Sequence, residues 1–207
     1  PTLGLDNAGA LLIGASPAPG RYRLALSWAE GHKPAFKMTP DMSAIAANGD
    51  RTLEFKFDNP APLTPPKDAP ARHQWQRIVE YSDFPDWASL SRRFAALYVK
   101  SAQLTDTSPL KREAASIAAA HASPLDRASA ALKLVQQDVR YVYVGLNGGN
   151  LTPATADETW QRRYGDCKGK TALLLALLAE LGIPAEAVLA NNGGTDDGLD
   201  MRLPGPQ

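Results

Sequence analysis

Strict alternation of apolar and polar residues marks the first part of the chain. Tyr22, Leu24, Leu26 and Trp28 alternate with Arg21, Arg23, Ala25 and Ser27, and Leu53, Phe55 and Phe57 alternate with Thr52, Glu54, Lys56 and Asp58. A period of two puts one face on a core and the other in water, so both stretches predict half-buried strands. Asn48-Gly49-Asp50 predicts a turn just ahead of the second strand. Residues 59–71 hold five prolines and read as a linker or edge loop. A further strand is expected over about Trp75 to Tyr81.

Near residue 82 the period lengthens. Asp83, Pro85 and Asp86 form a helix-start signal, and Trp87, Leu90, Phe94, Leu97 and Tyr98 then recur three and four apart. A second helix is predicted from Ser108-Pro109 to about Ala120 and a third from Ser123-Pro124 to about Asp138. Ser123 stands at the cap of that third helix, with Asp126 in the capping-box position. Arg140 to Leu146 reads as a strand and Ala156 to Arg162 as a short helix. The most apolar helix is expected over Lys168 to Leu181, stopped by Gly182, and Ala185 to Ala190 reads as a buried strand. The tail from Asn191 is rich in Asn, Gly, Asp and Pro and predicts a loop or disorder.

This order predicts an α+β chain of two domains: a β-rich, sandwich-like domain over residues 1–80 and a mixed domain over 81–207. Composition narrows the function. Apolar residues make up 44% and charged residues 21% of the 207, which fits a globular chain. Formal net charge is zero, which argues against a nucleic-acid binder. The longest apolar run, Ala172 to Ala179, is too short to span a bilayer. Residues 1–15 contain Asp6 and lack a basic start, so they do not read as a signal peptide; with Pro1 in first place, the chain reads as a processed or trimmed product. One cysteine and three scattered histidines offer no metal-ligand spacing, and no phosphate-cradling loop is present, so no metal or cofactor is expected.

The single cysteine carries the candidate chemistry. A lone cysteine is more often an inert buried residue than a nucleophile. Cys167, however, falls at the predicted start of the apolar helix, inside Tyr164-Gly-Asp-Cys-Lys-Gly-Lys170. A helix N-terminus presents unpaired N–H groups and a positive dipole end, both of which favour a thiolate. Lys168 and Lys170 add positive charge; Asp166 opposes them but suits the helix cap. Gly165 is expected to let the backbone bend and to keep the sulfur accessible. The backbone N–H of Cys167 is one candidate oxyanion donor. Tyr141 and Tyr143 are candidates for a second, although packing is the commoner role for such residues. Trp75, Trp87 and Trp160 are expected in a core or a domain interface.

The segment Tyr164-Gly165-Asp166-Cys167-Lys168, followed by Leu173 to Leu178 and Gly182-Ile183-Pro184-Ala185, resembles the core of bacterial transglutaminase-like proteins. Val139-Arg140-Tyr141-Val142 and Pro153-Ala154 fit the same pattern, and Tyr81 to Phe94 resembles the junction in a subgroup whose core follows a β-rich domain of uncharacterised function. The likeness is specific over about residues 123–190 and looser over 20–100. It implies a papain-like fold and a Cys-His-Asp triad with Cys167 as nucleophile; beside it, the candidate catalytic set holds Asp166, the expected helix cap, and Tyr141, a candidate oxyanion donor. The family's histidine and aspartate lie on strands beyond the variable loop, so this chain carries the nucleophile half only. His32, His73 and His121 are expected to be structural or exposed.

Two functions compete. The first is a cysteine hydrolase or acyltransferase acting on amide bonds of a protein or peptide, with peptidase or amidase chemistry favoured over cross-linking and these 207 residues inactive alone. The second is a non-catalytic binding or scaffold module of the bacterial cell envelope. The resemblance implies a periplasmic or secreted location.

Overall fold

The computed structural model describes residues 2–3, 6–12, 20–61, 66–70, 77–143, 151–190 and 202–205. It divides into two compact units, Pro1–Leu90 with Ala190–Gln207, and Ser91–Leu189.

The first unit contains two sheets. Strands β1 (Thr2–Leu3), β2 (Asp6–Leu12), β3 (Arg21–Ser27) and β4 (Ala35–Met38) precede a one-turn helix α1 (Pro40–Ser43); β5 (Ala47–Asn48), β6 (Thr52–Asp58) and β7 (Ile78–Ser82) follow. The strand orders are β1-β2-β7-β4 and β3-β6-β5. The two predicted strands pair with each other antiparallel, with Tyr22 opposite Phe57, Leu24 opposite Phe55 and Leu26 opposite Leu53. Their apolar faces therefore meet, as period-two patterning requires. Leu53 and Phe55 are buried with Met42 of α1 and Val79 of β7, so the core joins both sheets. The expected turn is present: Gly49 N–H donates to the Thr52 carbonyl at 2.9 Å. A Cβ on Gly49 would lie 2.4 Å from Thr52 Oγ1, which is why glycine stands there.

Strand β7 is central and buried, and begins three residues later than the sequence suggests. Trp75 lies outside the described residues. Residues 202–205 dock on β7: Ser82 Oγ donates to the Pro204 carbonyl at 2.6 Å, Leu203 N–H donates to Glu80 Oε2 at 3.1 Å, and Arg202 pairs with Glu80. Strands β1, β2 and β4 and helix α1 were not anticipated, being short or rich in small residues.

The second unit holds the remaining helices: α2 (Trp87–Ser101, from Ser91 onward), α3 (Leu110–Ala120), α4 (Pro124–Asp138), α5 (Ala156–Arg162) and α6 (Cys167–Glu180). Strands β8 (Arg140–Tyr141) and β9 (Tyr164–Gly165) pair in parallel. Local chemistry sets the helix ends. Asp86 Oδ1 accepts from Ser89 N–H at 2.6 Å, capping α2, and Ser123 Oγ accepts from Asp126 N–H at 3.1 Å, capping α4. Asp126 does not close a reciprocal box, because its carboxylate takes the Ser123 hydroxyl at 2.7 Å instead. Helix α5 has the full box, with Glu158 reaching back to Thr155 N–H at 3.1 Å and Thr155 Oγ1 accepting from Glu158 N–H at 3.2 Å. At the end of α6, Gly182 adopts φ +69, Gly182 N–H donates to Ala179 and Ile183 N–H to Leu178 at 2.8 Å. That left-handed residue with its pair of bonds is a Schellman stop.

Helix α6 runs through the core. Leu173, Ala176, Leu177 and Leu178 are buried with Leu110 and Ile117 of α3, Ala131 and Val135 of α4, and Ala156 and Trp160 of α5. Fully burying side chains such as Leu173 and Leu177 contributes roughly 2–3 kcal/mol each.

Three expectations differ from the structure. Ala185 to Ala190 is not a strand: it is irregular, with Val188 76% and Leu189 52% exposed. An apolar run forms a strand only beside a partner ladder, and none adjoins it among the described residues. The strand expected over Arg140 to Leu146 is two residues long where it is described, and residues 144–146 lie outside the described set. Trp87 is 40% exposed rather than core, whereas Trp160 is buried.

Candidate active site

Cys167 is the first residue of α6 and is exposed, so the sulfur meets solvent while the helix behind it is buried. Asp166 is the cap. Its Oδ1 accepts from Gly169 N–H at 3.1 Å, and its carbonyl accepts from Lys170 N–H at 3.0 Å. Its side chain is only 8% exposed and is neutralised by a salt bridge to Lys168, whose side chain is 14% exposed. Lys170 turns away and donates to the Val139 carbonyl at 2.6 Å. The positive charge expected around the sulfur is therefore committed elsewhere: Lys168 is matched by Asp166, and Lys170 tethers α6 to the end of α4. What remains for Cys167 is the N-terminal end of the helix dipole and its unpaired N–H groups.

Two glycines set how α6 seats on α5. A Cβ on Gly169 would lie 2.9 Å from Thr159 Oγ1, and one on Gly165 would lie 3.0 Å from Thr159 Cγ2. Thr159 is buried and donates from Oγ1 to the Thr155 carbonyl at 2.9 Å, so it has little room to give. The expected role of Gly165 as a bend is replaced by close packing, since its φ is not positive. Gly169, which the sequence reading passed over, has the tighter contact.

Strand β8 lies beside the segment that leads into Cys167. Tyr141 is in register with Gly165, two residues before Cys167, and Val142 N–H donates to the Gly165 carbonyl at 3.0 Å. Tyr141 and Tyr143 are 59% and 71% exposed, so neither is a core residue. Arg163, which ends α5 at φ +57, stacks over Trp160 at 3.6 Å and pairs with Asp138 at 3.5 Å.

Tyr98 of α2 is a neighbour that sequence reading treated only as part of an apolar face. Burial pushes its phenol up from the ordinary tyrosine value, and its electrostatic interactions with Cys167 and Asp166 push it further. It therefore stays a neutral O–H donor through the pH range of most enzymes. No periodicity signal distinguishes such a tyrosine from a packing residue.

The histidines are dispersed. His32 belongs to the first unit, 2.9 Å from Asp83. His121 ends α3, where its carbonyl accepts from Arg127 Nε at 2.8 Å. His73 lies outside the described residues. Among the described residues no histidine is hydrogen-bonded to the Cys167 thiol, and no group of three or more His, Cys, Asp or Glu could hold a metal ion. Nor, among them, is any helix long and apolar enough to cross a membrane.

Comparison with known proteins agrees with this architecture. Residues 111–202 match the family model of the transglutaminase-like superfamily. The fold resembles the crystal structure of a proposed protease from Parabacteroides distasonis, at TM-score 0.60 and 18% identity, over 84% of this chain. The chain spans about a third of that protein, 35% of its length. A search of the curated proteins finds no match. Helices α4 to α6, α3 from its second residue on, and the segment around Cys167 fall inside the matched residues, so the similarity to the transglutaminase-like superfamily covers the stretch that holds Cys167.

Proposed function

We propose that the protein is a cysteine-dependent amide hydrolase or acyltransferase of the transglutaminase-like class, acting on a protein or peptide. One observation carries this reading: an exposed cysteine heads a capped, buried helix within residues matched to that superfamily. The Cys167 sulfur attacks an amide carbonyl to give a tetrahedral oxyanion, which collapses to a thioester as the protonated amine leaves. Water then releases the acid, or an acceptor amine takes the acyl group. We favour water, so that the reaction is peptidase- or amidase-like. Cys167 is the catalytic residue, and its backbone N–H is one oxyanion donor. Asp166 is a positioning residue, because its carboxylate is engaged by the helix and by Lys168. Tyr141 and Tyr98 are the candidate second donors. We read the β-rich domain as ending with β7 and the catalytic one as opening with α2, in an envelope or secreted protein of bacteria.

Proton transfer needs an imidazole, and the described residues bring none to Cys167, so the 207 residues alone are expected to turn over poorly. The same observation favours a second reading, a binding module on an inactive scaffold. A peptidyl vinyl sulfone separates the two. The enzyme reading expects a covalent adduct at Cys167, found by mass spectrometry, and its complete loss in Cys167→Ala with an unchanged melting temperature. Labelling no faster than that of free cysteine, in the presence of every other part of the natural protein, sinks the enzyme reading.

A further inference from the structure

Strand β7 turns its two faces to different surroundings. Val79 packs in the core with Met42, Leu53 and Phe55, so the alternate residues Ile78, Glu80 and Ser82 lie on the outer face of the sheet. A charged residue on an outer face ordinarily meets water. Glu80 and Ser82 are instead 7% and 1% exposed. Residues 202–205 bond to both. Glu80 Oε2 accepts from Leu203 N–H at 3.1 Å, Glu80 Oε1 pairs with Arg202, and Ser82 Oγ donates to the Pro204 carbonyl at 2.6 Å. The Ser82 hydroxyl also accepts from Phe84 N–H at 3.1 Å, which fixes its direction.

These contacts have the chemistry of peptide recognition. Two of them read backbone groups and the third reads a guanidinium. Glu80 and Ser82 stand two apart on a strand, which is the repeat of an extended chain. The segment adds nothing to the ladder, because β7 already has β2 on one edge and β4 on the other. It can therefore leave without breaking a strand pairing. Its departure need not orphan the carboxylate either. Lys37 of β4 is exposed and stands directly opposite Glu80, so a second cation is at hand when Arg202 withdraws.

We propose that the outer face of β7 is a peptide-binding site, filled by the chain's own residues 202–205 as a strap that lifts while the sheet stays folded. The site reads an arginine, the backbone N–H of the next residue and the carbonyl of the one after, which here are Arg202, Leu203 and Pro204. Glu80 sets the selectivity, since only a cation with an N–H beside it satisfies both of its oxygens. Tethering gives the strap an effective concentration in the millimolar range, so a free peptide of the same sequence is shut out until the strap is disabled. The strap and β7 both belong to the first unit, and the site does not depend on the chemistry of Cys167.

The test uses the full 207-residue chain in two forms, the parent and an Arg202→Ala/Leu203→Pro variant whose strap cannot bind. Each is titrated with the peptide acetyl-Arg-Leu-Pro-Gly-amide and followed by NMR. The variant is expected to bind the peptide saturably at millimolar concentration, and the parent about tenfold more weakly or worse. Citrulline in place of the peptide's arginine, or Glu80→Gln added to the variant, should each weaken binding about tenfold. In the parent alone, the Leu203 amide should exchange its hydrogen about tenfold faster than the amides of β7, because the strap opens without the sheet. A folded variant that does not bind, a parent that binds as tightly, a citrulline peptide that matches the arginine one, or Leu203 exchanging in step with β7 overturns the proposal. If the variant does not fold alone, the peptide is expected to restore its melting transition, and failure to do so overturns the proposal as well.

Discussion

Each unit buries one aspartate beside an accessible surface, and the two are used in opposite ways. Asp166 is fully committed: one oxygen caps α6, the other meets Lys168, and the backbone carbonyl takes the next helical bond. Asp83 is held differently: Oδ2 joins β2 to β7, while Oδ1 makes no hydrogen bond and lies 2.9 Å from His32 Nε2. A saturated carboxylate supports structure. One with an oxygen outside any hydrogen bond, equally hidden from water, carries a desolvation cost that the rest of the fold must offset. Cys167 beside Asp166 therefore takes its position from a helix cap, whereas Asp83 ties two strands together.

Substitutions test that contrast. The largest effect is expected from Asp166→Ala, which removes a cap and leaves a mostly buried Lys168 without its partner. It should destabilise the second unit by about 2 kcal/mol in urea unfolding. Asp166→Asn, which still caps, should recover about half of that loss. An unchanged midpoint in Asp166→Ala would mean that the cap is not what orders the start of α6.

Gly169→Ala comes next. The added methyl meets Thr159 Oγ1 at 2.9 Å, and the overpacking should cost about 1–2 kcal/mol after the gain in helix propensity. The effect should be strongly non-additive with Thr159→Ala, and simple additivity in the double-mutant cycle would place the strain elsewhere.

Asp83→Asn should be far milder, within about 0.5 kcal/mol of the parent. Its side-chain oxygen can still accept from Asn7, while the desolvation cost of a buried charge disappears. A loss as large as that of Asp166→Ala would erase the distinction between the two aspartates.

The smallest effect concerns Asp157, at the start of α5. Burial pulls its carboxyl up, but hydrogen bonds from Ser108 and Thr105 and the charge of Lys111 outweigh it and hold the carboxyl below the ordinary aspartate value. The folded form thus binds its proton less readily than the unfolded form. Its contribution to stability is complete above pH about 4 and fades as pH falls through the lowered folded value. Most of the group is open to solvent screening, so the contribution is expected to be under about 1 kcal/mol. Asp157→Asn should flatten that part of the stability–pH curve below pH 4, and an unaltered slope would assign it to other carboxylates.

Much of this was legible in the sequence. The alternation at Tyr22–Trp28 and Leu53–Phe57 found both strands and the faces that meet, because a half-buried strand writes its environment into every second residue. Asp166, Ser123 and Gly182 announced helix ends, because caps are local chemistry. The similarity to the transglutaminase-like superfamily was legible from the residues around Cys167. Ala185–Ala190 misled, because an apolar run specifies a strand only with a partner. Three features were not legible. Gly169 against Thr159, Tyr98 near Cys167 and the half-used Asp83 all depend on contacts between residues distant in sequence, and composition and period carry no trace of such contacts.

The short parallel pair ahead of Cys167 has one more implication. Arg140 N–H donates to the Arg163 carbonyl and Val142 N–H to the Gly165 carbonyl, each at 3.0 Å. The peptide unit entering Asp166 is thus pinned by its oxygen and cannot rotate, and no side chain takes part in the pinning. Over evolutionary time residues 140–142 are free to vary in size, charge and polarity without moving the sulfur. Proline at position 140 or 142 is the exception, because it deletes one of the two backbone hydrogens that the clamp requires.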